Sequence, residues 1–265
     1  MIFQEKLVLD SINSAKAWRV WLFLGGQDLK ARFRRSFIGP LWILLNMVIF
    51  VGGGGVVYGL MFGQPMNEFL PFLTAGFVIW AFIVSSLTES GLAFINAEGY
   101  IKQFSYPKQI YLFRPLVVYA TIFVIGLLVL VPVQLIFQRF SLLGWFFAIP
   151  GLLLLLVGAL GHIVICAYLG ARFRDLPHAM GGILQVLFFV TPIMFPVKLL
   201  RERHLDFIYQ YNPLHYLIEI VRHPILEGAF PLSENYIFAG LYVAVVWFIA
   251  ALLAKRFASR LVFLL

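Results

Sequence analysis

Residues 30–50 read KARFRRSFIGPLWILLNMVIF. Lys30, Arg32, Arg34 and Arg35 crowd into six residues, and Gly39-Pro40 then opens into an apolar run. Cations set against a stretch that water rejects mark a membrane boundary. The charged groups stay with lipid phosphates while the apolar run enters hydrocarbon.

The rest of the composition agrees. Of 265 residues, 62% are hydrophobic and only 12% charged, against roughly 45–50% and about 25% in ordinary globular chains. A soluble fold of this length could not hide so much apolar side chain, and the mean hydropathy of +0.94 says the same. The net charge of +8 then points to lipid phosphates at the cytoplasmic surface rather than to nucleic acid. Cys166 is the only cysteine, so no intramolecular disulfide forms. The opening MIFQEKLVLD lacks the charged leader, apolar core and cleavage site of a removable signal.

About 20 apolar residues at 1.5 Å each cross a hydrocarbon core of about 30 Å. Six runs of that kind occupy 37–62, 70–96, 112–137, 142–170, 178–197 and 235–254. The N-terminal segment, the 97–114 and 171–177 loops and the tail hold 15 of the 20 Lys and Arg residues. The opposite loops hold only Arg139, Lys198, Arg201, Arg203 and Arg222. The positive-inside rule therefore puts both termini in the cytoplasm of a multi-pass protein.

Residues 1–36 are too polar to span, yet carry Trp18, Trp21, Leu22, Leu29 and Phe33 among basic residues. That mixture predicts an amphipathic helix lying in the interface, interrupted at Gly25-Gly26, with Asp28 and Arg32 one turn apart and able to pair. In 198–234, Asn212 can cap and Pro213 can take the first turn of a helix of about a dozen residues, too short to cross. Its Leu214, Leu217, Ile218 and Val221 share one face; His215, Glu219 and Arg222 fall on the other. The segment therefore predicts two short re-entrant helices beside a watery outer vestibule. The whole reads as one all-α integral membrane domain.

Catalytic chemistry is sparse. VGGGGVVYG (51–59) lacks the Lys-Ser/Thr of a nucleotide loop and reads as small residues that admit a neighbouring helix. No H-E-x-x-H motif or paired Cys/His spacing offers a metal site. Glu89, near the cytoplasmic end of the second run, is the best candidate for a charge on a functional path or an interfacial ion pair. So few ionisable groups argue against a proton- or sodium-coupled carrier, and leave energy to come from outside the chain.

Five stretches carry a resemblance: DLKARFRRSFIGPLW (28–42), NAEGYIKQFSYPKQIY (96–111), GARFRDLPHAM (170–180), TPIMFP (191–196) and YNPLHYLIEIVRHPILEG (211–228). In this order, on a six-run layout, the chain resembles the permease subunits of ABC exporters for lipid-linked polysaccharides such as O-antigen, capsule and teichoic acid.

The resemblance implies a homodimer in a bacterial inner membrane, joined by two copies of a separate ATPase that holds the ATP and Mg. The chain itself then needs no cofactor and is no enzyme. It further implies a coupling element in the 97–111 loop: Glu98, Tyr100, Ile101, Lys102, Phe104 and Lys108. Arg172, Arg174 and Asp175 either make a second contact with the ATPase or only cap the adjoining helices. The first and fifth runs become pore walls, where Phe50, Tyr58, Phe62, Phe188, Phe189 and Phe195 are candidate platforms for sugar rings. Arg32, Arg34 and Arg35 sit where a lipid phosphate arrives, and guanidinium binds such oxyanions through two parallel hydrogen bonds. A related permease for a drug, haem or simple lipid shares the six-run plan. A membrane-embedded lipid-modifying enzyme would need a cluster of carboxylates or histidines that the sequence lacks.

Overall fold

The computed structural model describes residues 2–104 and 106–265, with side chains from Leu9 onward; Met1 and Ser105, the latter within the predicted coupling loop, lie outside them. Every regular element among the described residues is helical.

Helices α1 (Ile2–Lys16) and α2 (Trp18–Arg32) form the N-terminal arm. The break falls at Ala17, not at the predicted Gly25-Gly26, and α2 runs straight through both glycines. Gly25 serves contact rather than bending: a Cβ there would lie 2.7 Å from Val117 Cβ and 2.9 Å from the Arg114 carbonyl. After a turn in which Arg35 adopts φ 67°, α3 (Leu41–Ile49) and α4 (Gly55–Met61) join through a π-helical turn at Phe50–Gly54 into one apolar rod.

Helix α5 (Met66–Leu87) ends before the predicted 96, in a 3-10 turn at Glu89–Leu92. Short α6 (Glu98–Gln103) leads to α7 (Ile110–Ile136) and α8 (Leu142–Arg172). Ser141 caps α8 by accepting from the Gly144 amide at 3.1 Å. Helix α9 (Leu176–Val190) has 15 residues, about 22 Å of rise. The apolar run predicted over 178–197 is thus helical only as far as Val190, because Thr191-Pro192 breaks the ladder.

Three pieces follow, α10 (Val197–Glu202), α11 (Phe207–Gln210) and α12 (Pro213–Glu227), where two were predicted. The chain closes with α13 (Ser233–Phe257) and α14 (Leu261–Leu264). Among the described residues, five segments are long and apolar enough to cross a bilayer: Leu41–Met61, Met66–Leu92, Ile110–Ile136, Leu142–Arg172 and Ser233–Leu264.

Helix α8 is the centre of the bundle. Gly144 and Gly151 let the backbone of α12 lie against it; a Cβ on Gly151 would fall 2.1 Å from the Ile220 carbonyl oxygen. Two groups of buried polar side chains are paired across helices, as a medium without water favours. His162 sits 3.1 Å from Ser86 Oγ and 2.8 Å from the Tyr242 hydroxyl. Gln134 donates to the Ile225 carbonyl at 2.9 Å and accepts from Trp145 Nε1 at 3.0 Å.

Helix α12 begins as the sequence predicts, with Asn212 Oδ1 accepting from the Leu214 amide at 3.1 Å and Pro213 in the first turn. Gly228, at φ 66°, ends it in the left-handed conformation glycine adopts freely. The expected polar side is not exposed. Ten of the 15 residues are buried, His215 and Arg222 among them. Arg222, 1% exposed, donates to Glu219 and to the Pro192 carbonyl at 2.9 Å, and lies 4.0 Å from the Phe72 ring centroid.

Candidate functional site

At the basic end of the bundle, α2 is fastened to the long helices by ion pairs. Asp28 and Arg32 do not pair with each other. Arg114 grips both oxygens of Asp28 through Nε and Nη2. Arg32 grips both oxygens of Glu89, at 2.8 and 3.1 Å, and this carboxylate holds its guanidinium above the ordinary arginine range. Trp21 stacks on Phe113 at 5.4 Å beside them. Between α2, the segment after α5, α7 and the start of α9 these pairs wall a cavity of about 530 Å³. Arg34 and Arg35 stay outside it, exposed in the turn after α2.

The predicted coupling residues share this end. Ile101 is buried, whereas Tyr100 and Phe104 are about half exposed and stack at 6.4 Å. Lys102 bonds Glu98 one turn away at 2.6 Å, and that bond, with a smaller pull from Arg174, holds the Glu98 carboxyl below its usual range. The same charge links α6 to the exposed Arg174-Asp175 turn that starts α9. Lys108 is half-buried in the turn before α7. Together they form an apolar ridge of Tyr100, Phe104 and Tyr106 ringed by charges of both signs, a shape suited to a groove on another protein.

The predicted pore aromatics gather along one side. Phe50 stacks on Phe77 at 4.1 Å and meets Phe188 edge-on at 6.2 Å; Phe188 in turn meets Phe189 at 5.6 Å. With Trp80 and Gln185 they line a groove of about 370 Å³. Tyr58, Phe62 and Phe195 continue it as a second cluster around Phe69, Leu73 and Met194. Phe77 and Trp80, from α5, are members the sequence did not single out. Nothing in the pattern separates them from the other aromatic residues of an apolar run.

The walls are thinly covered. Gly52 and Gly53 have nothing within 4 Å of a would-be Cβ, while Gly55 and Gly59 receive Leu70 and Met66. Four glycines thus serve two purposes: two seat α5, and two lie bare. At the opposite end, Gln64, Glu68, Arg139, Lys198 and Glu227 surround a polar cavity of about 380 Å³, where the sequence expects a vestibule. No group of three or more His, Cys, Asp or Glu side chains among the described residues could hold a metal ion.

A family profile described as ABC-2 type transporter matches residues 19–226. The chain belongs to that family. Its relatives include an O-antigen export system permease protein, RfbA, from Klebsiella pneumoniae, 27% identical over 83% of this chain and 86% of that protein. RfbA from Myxococcus xanthus is 24% identical over 87% and 89%. The polysialic acid transport protein KpsM from Escherichia coli is 24% identical over 88% and 91%. The ABC-2 match runs from α2 into α12, so it takes in the fastened helix α2, α6, both aromatic walls and the buried helix.

Proposed function

We propose that this chain is the channel-forming permease subunit of an ATP-driven exporter of lipid-linked polysaccharide, O-antigen or capsule-like. It works in a bacterial inner membrane as a homodimer with two copies of a separate ATPase, both termini in the cytoplasm. The observation that carries this reading is the likeness, over more than four-fifths of the chain, to permeases named for O-antigen export and polysialic acid transport. Different glycans share one architecture there, which suits a pore that stacks loosely on sugar rings rather than reading one sugar.

Several features of the geometry support the reading. Phe50, Phe188 and Phe189 offer flat faces along a groove whose rim is not covered by the chain itself. A second copy across that groove would close it. Helix α9, continued by Thr191–Pro196, serves as the fifth of six spans, and α10–α12 as the outer re-entrant segment. The ridge on α6, with Arg174 and Asp175, meets the ATPase, which supplies ATP and Mg. Arg32, Arg34 and Arg35 hold the arm at the headgroups and draw lipid phosphate to the basic end.

Deleting the gene tests the cargo. Lipid-linked polymer should accumulate in the cytoplasm and vanish from the cell surface; a normal surface glycan would refute the reading. The purified chain should hydrolyse no ATP until its partner is added.

A further inference from the structure

We propose that the 530 Å³ cavity beneath α2 is a binding site for a phosphorylated lipid headgroup, with Arg114 as the residue that grips it. This deepens the exporter reading and rests on it for the identity of the lipid. It moves the decisive contact from the exposed Arg34 and Arg35 to a residue counted in the sequence only as a loop charge.

The geometry of Arg114 is the reason. Asp28 takes its Nε and Nη2, leaving Nη1 buried without a partner among the described residues. A buried, unpaired guanidinium N–H is a costly state, and an anionic oxygen relieves it best. Arg114 lines the cavity with Arg32, and Thr88, Asn96, Tyr111 and Tyr119 supply further polar groups to its wall. The two carboxylates, Asp28 and Glu89, balance the two arginines and fasten α2 to α7 and to the turn after α5. A diphosphate competes with both carboxylates for the same forks.

The same residue touches the coupling element. The Arg114 guanidinium lies 5.8 Å from the ring centroid of Tyr100 on α6. A headgroup that binds Arg114 in the cavity therefore bears on a contact of the ridge that faces the ATPase. Cargo arrival and ATP turnover share one side chain.

The test uses the full chain in phosphatidylcholine nanodiscs, with farnesyl diphosphate as the probe. Native protein should bind it. Arg114→Lys, which keeps the charge but loses the fork, should weaken binding about tenfold or more. Asn96→Leu narrows the cavity without touching either ion pair, and should weaken binding even if Arg114→Lys folds poorly. Arg19→Lys, on α2 but outside the cavity, should bind as native protein does. With the ATPase added, the probe should stimulate hydrolysis in native protein and not in Arg114→Lys.

Binding that survives both Arg114→Lys and Asn96→Leu would overturn the site. Inorganic diphosphate or phosphatidylglycerol competing as well as the probe would overturn the assignment to a linked lipid diphosphate. Since binding is read without any glycan, a wrong cargo shows in the gene deletion and a wrong site shows here.

Discussion

Helices α9 and α12 have 15 residues each, and their fates are opposite. Helix α9 reads LPHAMGGILQVLFFV, without a single carboxylate, lysine or arginine, and buries only Leu184. Helix α12 carries Glu219, Arg222, Glu227 and two histidines, and buries ten residues. In water this is upside down. In hydrocarbon it is the expected order, since lipid tails satisfy apolar side chains as well as other helices do and satisfy polar groups not at all. Polarity drives α12 inward, and shape holds it there, whereas α9 is left for lipid or a second copy to cover.

The largest expected effect attacks α12 at its buried charge. Arg222→Met leaves the Glu219 carboxylate without its cation, and removing one member of a buried pair loses about 3–5 kcal/mol. The melting temperature of the detergent-solubilised protein should fall steeply, and the double change Arg222→Met with Glu219→Gln should recover part of the loss. A single variant as stable as native protein would mean that water reaches this side of α12, and the contrast with α9 would fail.

Next comes shape. Gly151→Ala forces a methyl against the Ile220 carbonyl, where the Cβ would stand at 2.1 Å, and overpacking of this kind loses about 1–3 kcal/mol. On α9, Gly182 has nothing within 4 Å of a would-be Cβ. Gly182→Ala should leave melting unchanged or raise it slightly, by removing a helix-weakening glycine. Equal losses at the two glycines would erase the distinction.

The contrast also sorts what could be read from the sequence. Short-range chemistry was legible. Asn212 and Pro213 start α12 as their types dictate, and the 214, 217, 218, 221 face is buried. Apolar runs located the long helices. Contacts between distant positions were not legible. Arg222 looked like a surface charge because one of its acceptors, the Pro192 carbonyl, lies 30 residues earlier. Asp28 and Arg32 sat one turn apart, yet each found a partner 57 or 86 positions away with better bidentate geometry. Gly25-Gly26 signalled a break by composition, but the missing Cβ was needed for Val117. Apolarity also overstated helix length at 191–196, where two prolines matter more than hydropathy. Phe77 and Trp80 stayed hidden because 28 phenylalanines and six tryptophans dilute any single one.

The smallest expected effect on stability belongs to Phe189, and it is the one that tests function. This ring is 62% exposed and touches Phe188 at the rim of the aromatic groove. Phe189→Ala removes little buried area, so melting should shift by no more than about 0.5 kcal/mol equivalent. Export of surface glycan should fall several-fold all the same, because a flat face that stacks on sugar rings has been removed, and Phe189→Tyr should retain it. The two readouts separate the groove from the scaffold. A variant that melts and exports like native protein would leave Phe189 as one more lipid-facing ring. One that melts early would make α9 a packed helix like α12, and the division between the two would be lost.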